Sequence, residues 1–184
     1  MGRETDTIFA LATPPGKSAI AVIRISGDQA AGVPDALAAK CPRPGCFSLQ
    51  TLSDGSGAVI DQALLLFMAA PRSSTGEDVV EIHCHGGVAV TRTRLGVLAS
   101  LSGLRPADAG EFTHRMVHNG KIDLLGAESL ADIIDADTHR QLAQAWSQMR
   151  GALRDPVTAW RQAVIKIAAE LEAVIDFPDE EIPP

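Results

Sequence analysis

The spacing of apolar residues changes near Lys121, and this change restricts the chain to a fold in two parts. Before Lys121, short β-branched runs are separated by turn residues, whereas after it apolar residues recur every three or four positions as far as Val174. Strands repeat every two residues and helices about every 3.6. We therefore expect an α+β domain over residues 1–120, followed by an all-α segment over residues 121–184.

Three runs in the first part predict strands, at residues 19–25, 58–68 and 79–85. The first is β-branched and lies between turn residues, and the second follows a predicted turn at residues 54–57. The third alternates, so one set of its side chains should face the core and the other should face away from it. The inward set is Val80, Ile82 and Cys84, and the outward set is Glu81, His83 and His85.

Helical spacing predicts helices over residues 29–39, 88–101, 110–118 and 123–136. Thr138 and Gln141 fit a capping box that opens one long amphipathic helix, which Pro156 should kink or unwind. A helix of this length cannot bury its apolar stripe alone, so the stripe indicates a truncated chain or a binding partner. The proline-rich residues 177–184 predict a break and a junction to a further segment.

Charge and cysteine content limit the classes of function. The net charge of −7 excludes a broad phosphate-neutralising surface, so any contact with RNA must be local. The three cysteines are odd in number and the polar opening contains no signal region, which favours a reducing cytoplasm. The longest apolar run, residues 63–70, is far shorter than the roughly 20 residues that span a membrane. We expect a soluble cytoplasmic protein without membrane contact.

Charged residues interrupt two of the predicted strands. Arg24 lies in an otherwise apolar strand, and Glu81 lies beside two histidines. A buried charge is unfavourable unless an opposite charge or a hydrogen-bonding group meets it. Arg24 and Glu81 are therefore either partners in an ion pair or polar anchors for a ligand. Lys121 follows a tight Asn119-Gly120 turn, and it is either solvated or a third group facing the same cavity.

Metal ligands and a phosphate loop are weakly indicated. Four histidines could supply nitrogens to a metal, but ordinary hydrogen-bonded or exposed histidines explain the pattern better. Cys41 and Cys46 are too far apart for a zinc knuckle. Gly16-Lys17-Ser18 lacks the earlier glycine and the following helix of a phosphate-binding loop. We expect neither a metal site nor a GTP site here. The histidines are His83, His85, His114 and His118.

Seven runs together resemble the MnmE family, also called TrmE, in the family's order over residues 5–182. They are ATPPG at 12–16, VIRISG at 22–27, TGEDVVE at 75–81, HGG at 85–87, GEFT at 110–113, NGKIDL at 119–124 and IDFPDEE at 175–181. Small departures include Cys84, where glycine is common, and Leu125-Gly126, where alanine and glutamine are usual.

The resemblance implies a first domain similar to the tetrahydrofolate-binding domain of glycine-cleavage T protein, which in this family also forms a homodimer. The folate-contacting positions carry over to Arg24, Glu81 and Lys121. The implied ligand is 5-formyl- or 5,10-methylene-tetrahydrofolate. Glu81 would hydrogen-bond the pterin edge, while Arg24 and Lys121 would meet carbonyl or carboxylate groups.

The resemblance also implies a role for the full-length protein. Family members work with an FAD-dependent partner, MnmG (GidA), to build an aminomethyl-type group at carbon 5 of the wobble uridine of tRNA. Their GTPase domain binds GTP, potassium and magnesium, and we expect this chain to stop before that domain, so that it does not hydrolyse GTP. Three rival hypotheses are an aminomethyltransferase-like folate enzyme, a histidine metal enzyme and a dimerisation module without a ligand. The helical segment and the IDFPDEE run argue against the first of these.

Overall fold

The structure, a computed structural model, describes residues 6–54 and 56–176. The chain divides into two compact units, Met1–Lys121 and Ile122–Pro184. In the described residues, the first unit combines a mixed sheet with helices and the second contains helices alone, which confirms the predicted fold class. The break expected at residues 177–184 lies outside the described residues.

The first unit contains a six-stranded sheet in the order β3-β4-β5-β2-β1-β6. Neighbouring strands are antiparallel except for β1 and β6, which are parallel. The strands are β1 (Thr7–Leu11), β2 (Ser18–Ser26), β3 (Phe47–Ser53), β4 (Val59–Met68), β5 (Val79–Gly86) and β6 (Leu104–Pro106). The helices are a 3₁₀ turn (Ala30–Gly32), α1 (Val33–Ala36), α2 (Val88–Ser100) and α3 (Glu111–His118).

The structure corrects several predicted elements. Strands β1, β3 and β6 were not predicted, because β1 and β6 contain only five and three residues and β3 mixes polar with largely exposed apolar residues instead of forming an apolar run. The helix expected over residues 29–39 shrinks to the 3₁₀ turn and the single turn of α1. Gly32 and Pro34 interrupt it, and Ala38 has a positive φ of 56°, which a continuing helix does not allow.

The core lies between the sheet and α2. Leu65, Ile82 and Ile23 occupy directly paired positions on β4, β5 and β2, and all three are fully buried. Leu98 of α2 belongs to the same buried cluster. The predicted inward residues of β5 are buried here, so the alternation of that strand is confirmed. The other face of the sheet, which we call the open face, carries the polar residues described below.

Gly27 lets the chain turn sharply at the end of β2. Its φ is 132°, outside the range that residues with a side chain readily adopt. A Cβ at this position would also lie 2.7 Å from the Cα of Thr7 on β1. Glycine is therefore required here both by the backbone conformation and by the close approach of the neighbouring strand.

The second unit contains α4 (Leu124–Asp135), α5 (His139–Met149) and α6 (Arg154–Asp176). The predicted capping box is confirmed, because the Thr138 side chain accepts from the Gln141 amide and the Gln141 side chain accepts in return. The expected single long helix is wrong, since the chain breaks at Gly151, which has a φ of 100°. Pro156 lies in the first turn of α6, where no amide donor is needed.

The apolar stripe of α6 is exposed in the described part of the second unit. Its large members are Val157, Trp160, Val164, Ile167, Leu171 and Ile175. This agrees with the expectation that the stripe needs further partners. Among the helices of residues 6–54 and 56–176, none combines the length and the apolar character needed to cross a bilayer.

Candidate functional site

Arg24 and Glu81 lie side by side at the centre of the open face. Both belong to a row of directly paired residues that crosses five strands, and paired residues place their side chains on the same face. The pairing brings together residues that are 57 positions apart in the chain. The row is Phe47, Leu66, Glu81, Arg24 and Ala10.

The two side chains form the ion pair that the sequence allowed. Nε and Nη2 of Arg24 both lie 2.8 Å from Oε1 of Glu81. The other carboxylate oxygen, Oε2, lies 3.1 Å from Nε2 of His83. Arg24 therefore does not bind both carboxylate oxygens in a bidentate geometry, which is the strongest arrangement for a guanidinium and a carboxylate.

The surroundings of the pair combine apolar contact with partial exposure. The ring of Phe112 on α3 lies over Arg24, with its centre 5.7 Å from Cζ of the guanidinium. Val22, Leu64 and Leu66 are half-buried and flank the pair on the open face. The Arg24 side chain is 32% exposed and the Glu81 side chain 12%. An apolar surface with a few convergent polar groups is typical of sites for small ligands.

Lys121 makes its contacts away from this ion pair. Its ammonium Nζ donates to the carbonyl of Pro71 at 2.7 Å, and the side chain is exposed. Asn119, in the same turn, donates to the carbonyl of Thr75 at 2.7 Å. The turn is thus attached to the segment between β4 and β5. The structure brings Arg24 and Glu81 into contact, and it places Lys121 against that segment.

A buried ionic network, which the sequence analysis missed, attaches α3 to the sheet. Arg115 is 7% exposed, and its Nη1 lies 3.1 and 2.9 Å from the two oxygens of Glu77. Its Nη2 donates to Glu111 at 3.2 Å and to the carbonyl of Asp6 at 2.8 Å. Ser26 donates to Glu77 at 2.7 Å. The only sequence signal was the i,i+4 spacing of Glu111 and Arg115.

Arg105 completes this network. Its Nη1 and Nη2 lie 2.8 and 2.6 Å from the two oxygens of Glu111. This is the bidentate geometry that the Arg24–Glu81 pair lacks. Hydrogen bonds from Arg105 are the main cause that lowers the pKa of Glu111, to about 2. The network borders a cavity of about 640 Å³ lined by Arg105, Gly110, Glu111, His114, Arg115 and Asn119, among others.

The four histidines do not converge on one point. His83 contacts Glu81, His85 lies 2.7 Å from Asp61, and the rings of His114 and His118 stack on each other with centres 6.4 Å apart. Within residues 6–54 and 56–176, no three metal-binding side chains are close enough to hold a metal ion. All cysteines are free, including the buried Cys84, whose pKa is raised mainly by burial.

Comparison with known proteins identifies the family. A family model described as "GTP-binding protein TrmE N-terminus" matches residues 7–121, and a second, "MnmE helical domain", matches residues 124–184. The chain belongs to the TrmE (MnmE) family. The resemblance drawn from the seven sequence runs is thereby confirmed.

Curated relatives support this assignment. The chain is 49% identical over 179 residues to the tRNA modification GTPase MnmE of Caulobacter vibrioides, covering 97% of this chain and 40% of the relative. It is 51% identical over 175 residues to the protein of the same name from Maricaulis maris, covering 95% and 40%. The chain thus spans about two fifths of the length of these relatives. Arg24, Glu81 and the four charged side chains of the ionic network all lie in the segment that matches the TrmE N-terminus, and the four are Glu77, Arg105, Glu111 and Arg115.

Proposed function

We propose that this TrmE-family chain binds a tetrahydrofolate derivative, 5-formyl- or 5,10-methylene-tetrahydrofolate, on the open face of its sheet. The observation that carries the proposal is the partly exposed Arg24–Glu81 pair, set among apolar side chains and under the ring of Phe112. Glu81 would accept hydrogen bonds from the donor edge of the pterin. Arg24 and Lys121 would donate to its carbonyl or carboxylate groups.

The geometry of the ion pair supports this assignment. A carboxylate has about four lone-pair sites, and Arg24 approaches only one of the two oxygens of Glu81. The second oxygen is contacted by His83 at 3.1 Å and has a further lone pair that can accept from a ligand. Lys121 donates to a single backbone carbonyl at an exposed position, so exchanging that partner for a ligand carboxylate requires little rearrangement.

Family membership supports a proposal for the role of the full-length protein. We propose that this chain is the folate-binding and dimerising part of a cytoplasmic enzyme that acts with MnmG (GidA) at carbon 5 of the wobble uridine of tRNA. The folate would supply the one-carbon unit. GTP, potassium and magnesium would bind in a GTPase domain that lies outside the part of the relatives matched by this chain. The relatives are named tRNA modification GTPases, which supports the assignment.

Alanine at Arg24 should weaken the binding of 5-formyl-tetrahydrofolate by about 10- to 100-fold, because hydrogen bonds to charged groups contribute about 1.5–3 kcal/mol. Isothermal titration calorimetry measures the affinity, and circular dichroism checks that the variant folds. Arg92→Ala, an exposed arginine on α2, is the matched control and should bind as the wild type does. Unchanged affinity in Arg24→Ala would show that the site is wrongly placed. A wild type that takes up no folate would refute the proposal.

The open face also supports a homodimer. Phe47 and Leu49 lie on this face and are more than half exposed, with Phe47 at 70%. Exposed apolar side chains that cluster on one face are typical of protein interfaces. Aspartate at Leu49 should therefore shift the chain from dimer to monomer in analytical ultracentrifugation. Val88→Asp, an exposed apolar position on α2, should leave the dimer intact. A monomeric wild type would contradict this part of the proposal.

A further inference from the structure

His83 is a third polar member of the candidate site, and neither the sequence patterns nor the family match assigns it a role there. It lies one row away from the ion pair, directly between Leu64 of β4 and Val22 of β2. Its Nε2 is 3.1 Å from Oε2 of Glu81, and its side chain is 33% exposed. It therefore contacts the carboxylate at the edge of the site that solvent and ligand can reach.

We infer that His83 is a positioning and specificity-determining residue of this site, which competes with the ligand for Oε2 of Glu81. The inference rests on the proposed folate site. Since both nitrogens of Arg24 converge on Oε1, Oε2 is the oxygen at which a ligand N–H donor binds most readily. Among the described residues, His83 is the partner that occupies Oε2. A ligand must share that oxygen with His83 or displace it.

The charge on His83 determines the strength of this competition. A neutral imidazole that donates to a carboxylate makes an ordinary charge-assisted hydrogen bond, whereas an imidazolium adds full ionic attraction. A protonated His83 would therefore hold Oε2 more tightly and would also add a second cation beside Arg24. Ligands that offer N–H donors to Glu81 would then bind less well. The site consequently favours donor-bearing ligands when His83 is neutral.

The groups around His83 support the inference that its charge acts on Glu81. Its directly paired neighbours, Leu64 and Val22, are uncharged. The nearby charges are Glu81 and Arg24, which already neutralise each other. The other histidine on this side of β5, His85, is held by Asp61 at 2.7 Å. A positive charge on His83 would therefore act mainly on the Glu81 carboxylate. His85 contacts Asp61 instead, so it provides a control on the same strand.

Calorimetric titration of 5-formyl-tetrahydrofolate between pH 6 and pH 8 tests the inference. The wild type should bind more weakly at pH 6 than at pH 8, because histidine side chains as a class change charge in this interval. His83→Gln keeps a donor near Glu81 without titrating, so its affinity should be nearly independent of pH. His85→Gln should retain the wild-type dependence. A pH dependence that persists in His83→Gln, or disappears in His85→Gln, would overturn the inference while leaving the folate site intact.

Nuclear magnetic resonance provides a readout that does not depend on folate. In the ligand-free chain, Glu81→Gln should change the chemical shifts of the His83 ring, because the amide replaces the carboxylate that Nε2 contacts at 3.1 Å. The ring shifts of His85 should stay unchanged in the same variant. Unaltered His83 ring shifts would refute the coupling between His83 and Glu81, whatever the ligand proves to be. Coupling in this experiment, combined with no folate uptake by the wild type, would refute the folate site and with it the competition.

Discussion

Replacing Asp61 with alanine should lower the free energy of unfolding of the first unit by about 3–5 kcal/mol at pH 7. The reason is Arg94 of α2, whose side chain is 0% exposed and whose Nη2 lies 3.3 Å from Oδ2 of Asp61. Its three guanidinium nitrogens have no hydrogen-bond partner among the described residues. Asp61 is the carboxylate paired with this buried cation, so alanine would leave the charge uncompensated.

Burial and neighbouring charges act in opposite directions on this pair. Burial lowers the pKa of Arg94, while Cys84 and Asp61 raise it. Burial would raise the pKa of Asp61, but hydrogen bonds from His85 and the attraction of Arg94 lower it overall. Because the folded pKa of Asp61 is depressed, its contribution is complete above the ordinary value of 3.8 and is lost as the pH falls through the folded pKa.

The matched variant is Arg94→Leu, which removes the buried charge and keeps an apolar side chain in its place. Replacing a buried ion pair by apolar groups is often neutral or stabilising, so we expect Asp61→Ala combined with Arg94→Leu to regain most of the loss. Both tryptophans, Trp146 and Trp160, lie in the second unit, so fluorescence reports on the wrong part of the chain. Hydrogen exchange of the β4 and β5 amides measures the first unit directly. A loss below about 1 kcal/mol in Asp61→Ala would contradict the prediction.

Replacing Arg115 with methionine should lower the free energy of unfolding of the first unit by about 3 kcal/mol. Glu77 loses its buried cationic partner, and Glu111 loses one of its two arginine partners. The substitution also removes the donor to the Asp6 carbonyl that attaches α3 to the start of β1. Phe112, which lies over Arg24, belongs to the same helix, so folate affinity should fall as well. Hydrogen exchange measures stability, and calorimetry measures affinity. Arg92→Met, on the exposed side of α2, should change stability by less than about 0.5 kcal/mol.

The loss of stability caused by Arg115→Met should become smaller as the pH falls. The pKa of Glu111 is lowered to about 2, so its ion pairs contribute fully above its ordinary value of 4.5 and are lost as the pH falls toward 2. Arg105 is the main cause of this lowered pKa and Arg115 a smaller one, so the stability difference between wild type and Arg115→Met should be constant from about pH 7 to pH 5 and should narrow by only part of its size below that range. If the stability difference between wild type and Arg115→Met grew as the pH fell, the ionised carboxylates would not be the source of the stabilisation.

Much of the local structure could be predicted because it depends on neighbours along the chain. The alternation of β5 identified its buried and outward residues, and the capping box located the start of α5. The position of the helix break could not be predicted in this way. Pro156 was the visible signal, but a proline is tolerated in the first turn of a helix, and Gly151 with its positive φ ends the preceding segment. Local propensity indicated a break without deciding which residue makes it.

The candidate site shows the same division between local pattern and tertiary contact. Arg24 and Glu81 were each identifiable as charges in apolar strands, and the sequence left open whether they paired or bound a ligand. Their 2.8 Å contact depends on the register between β2 and β5, which no local pattern encodes. The network around Arg115 was missed because its partner Glu77 is 38 positions away and lies outside any regular element.

By itself the sequence determined the α+β and helical classes and the family, and it predicted the two-part division and the three candidate ligand residues. These follow from periodicity and from ordered motifs, which are properties of the linear chain. Only the tertiary structure decided that Glu81 is shared between Arg24 and His83, that Arg94 is buried against Asp61, and that Arg115 secures α3. Such contacts join distant segments, and which charges meet depends on strand register and helix packing, where a shift of one residue places a side chain on the opposite face.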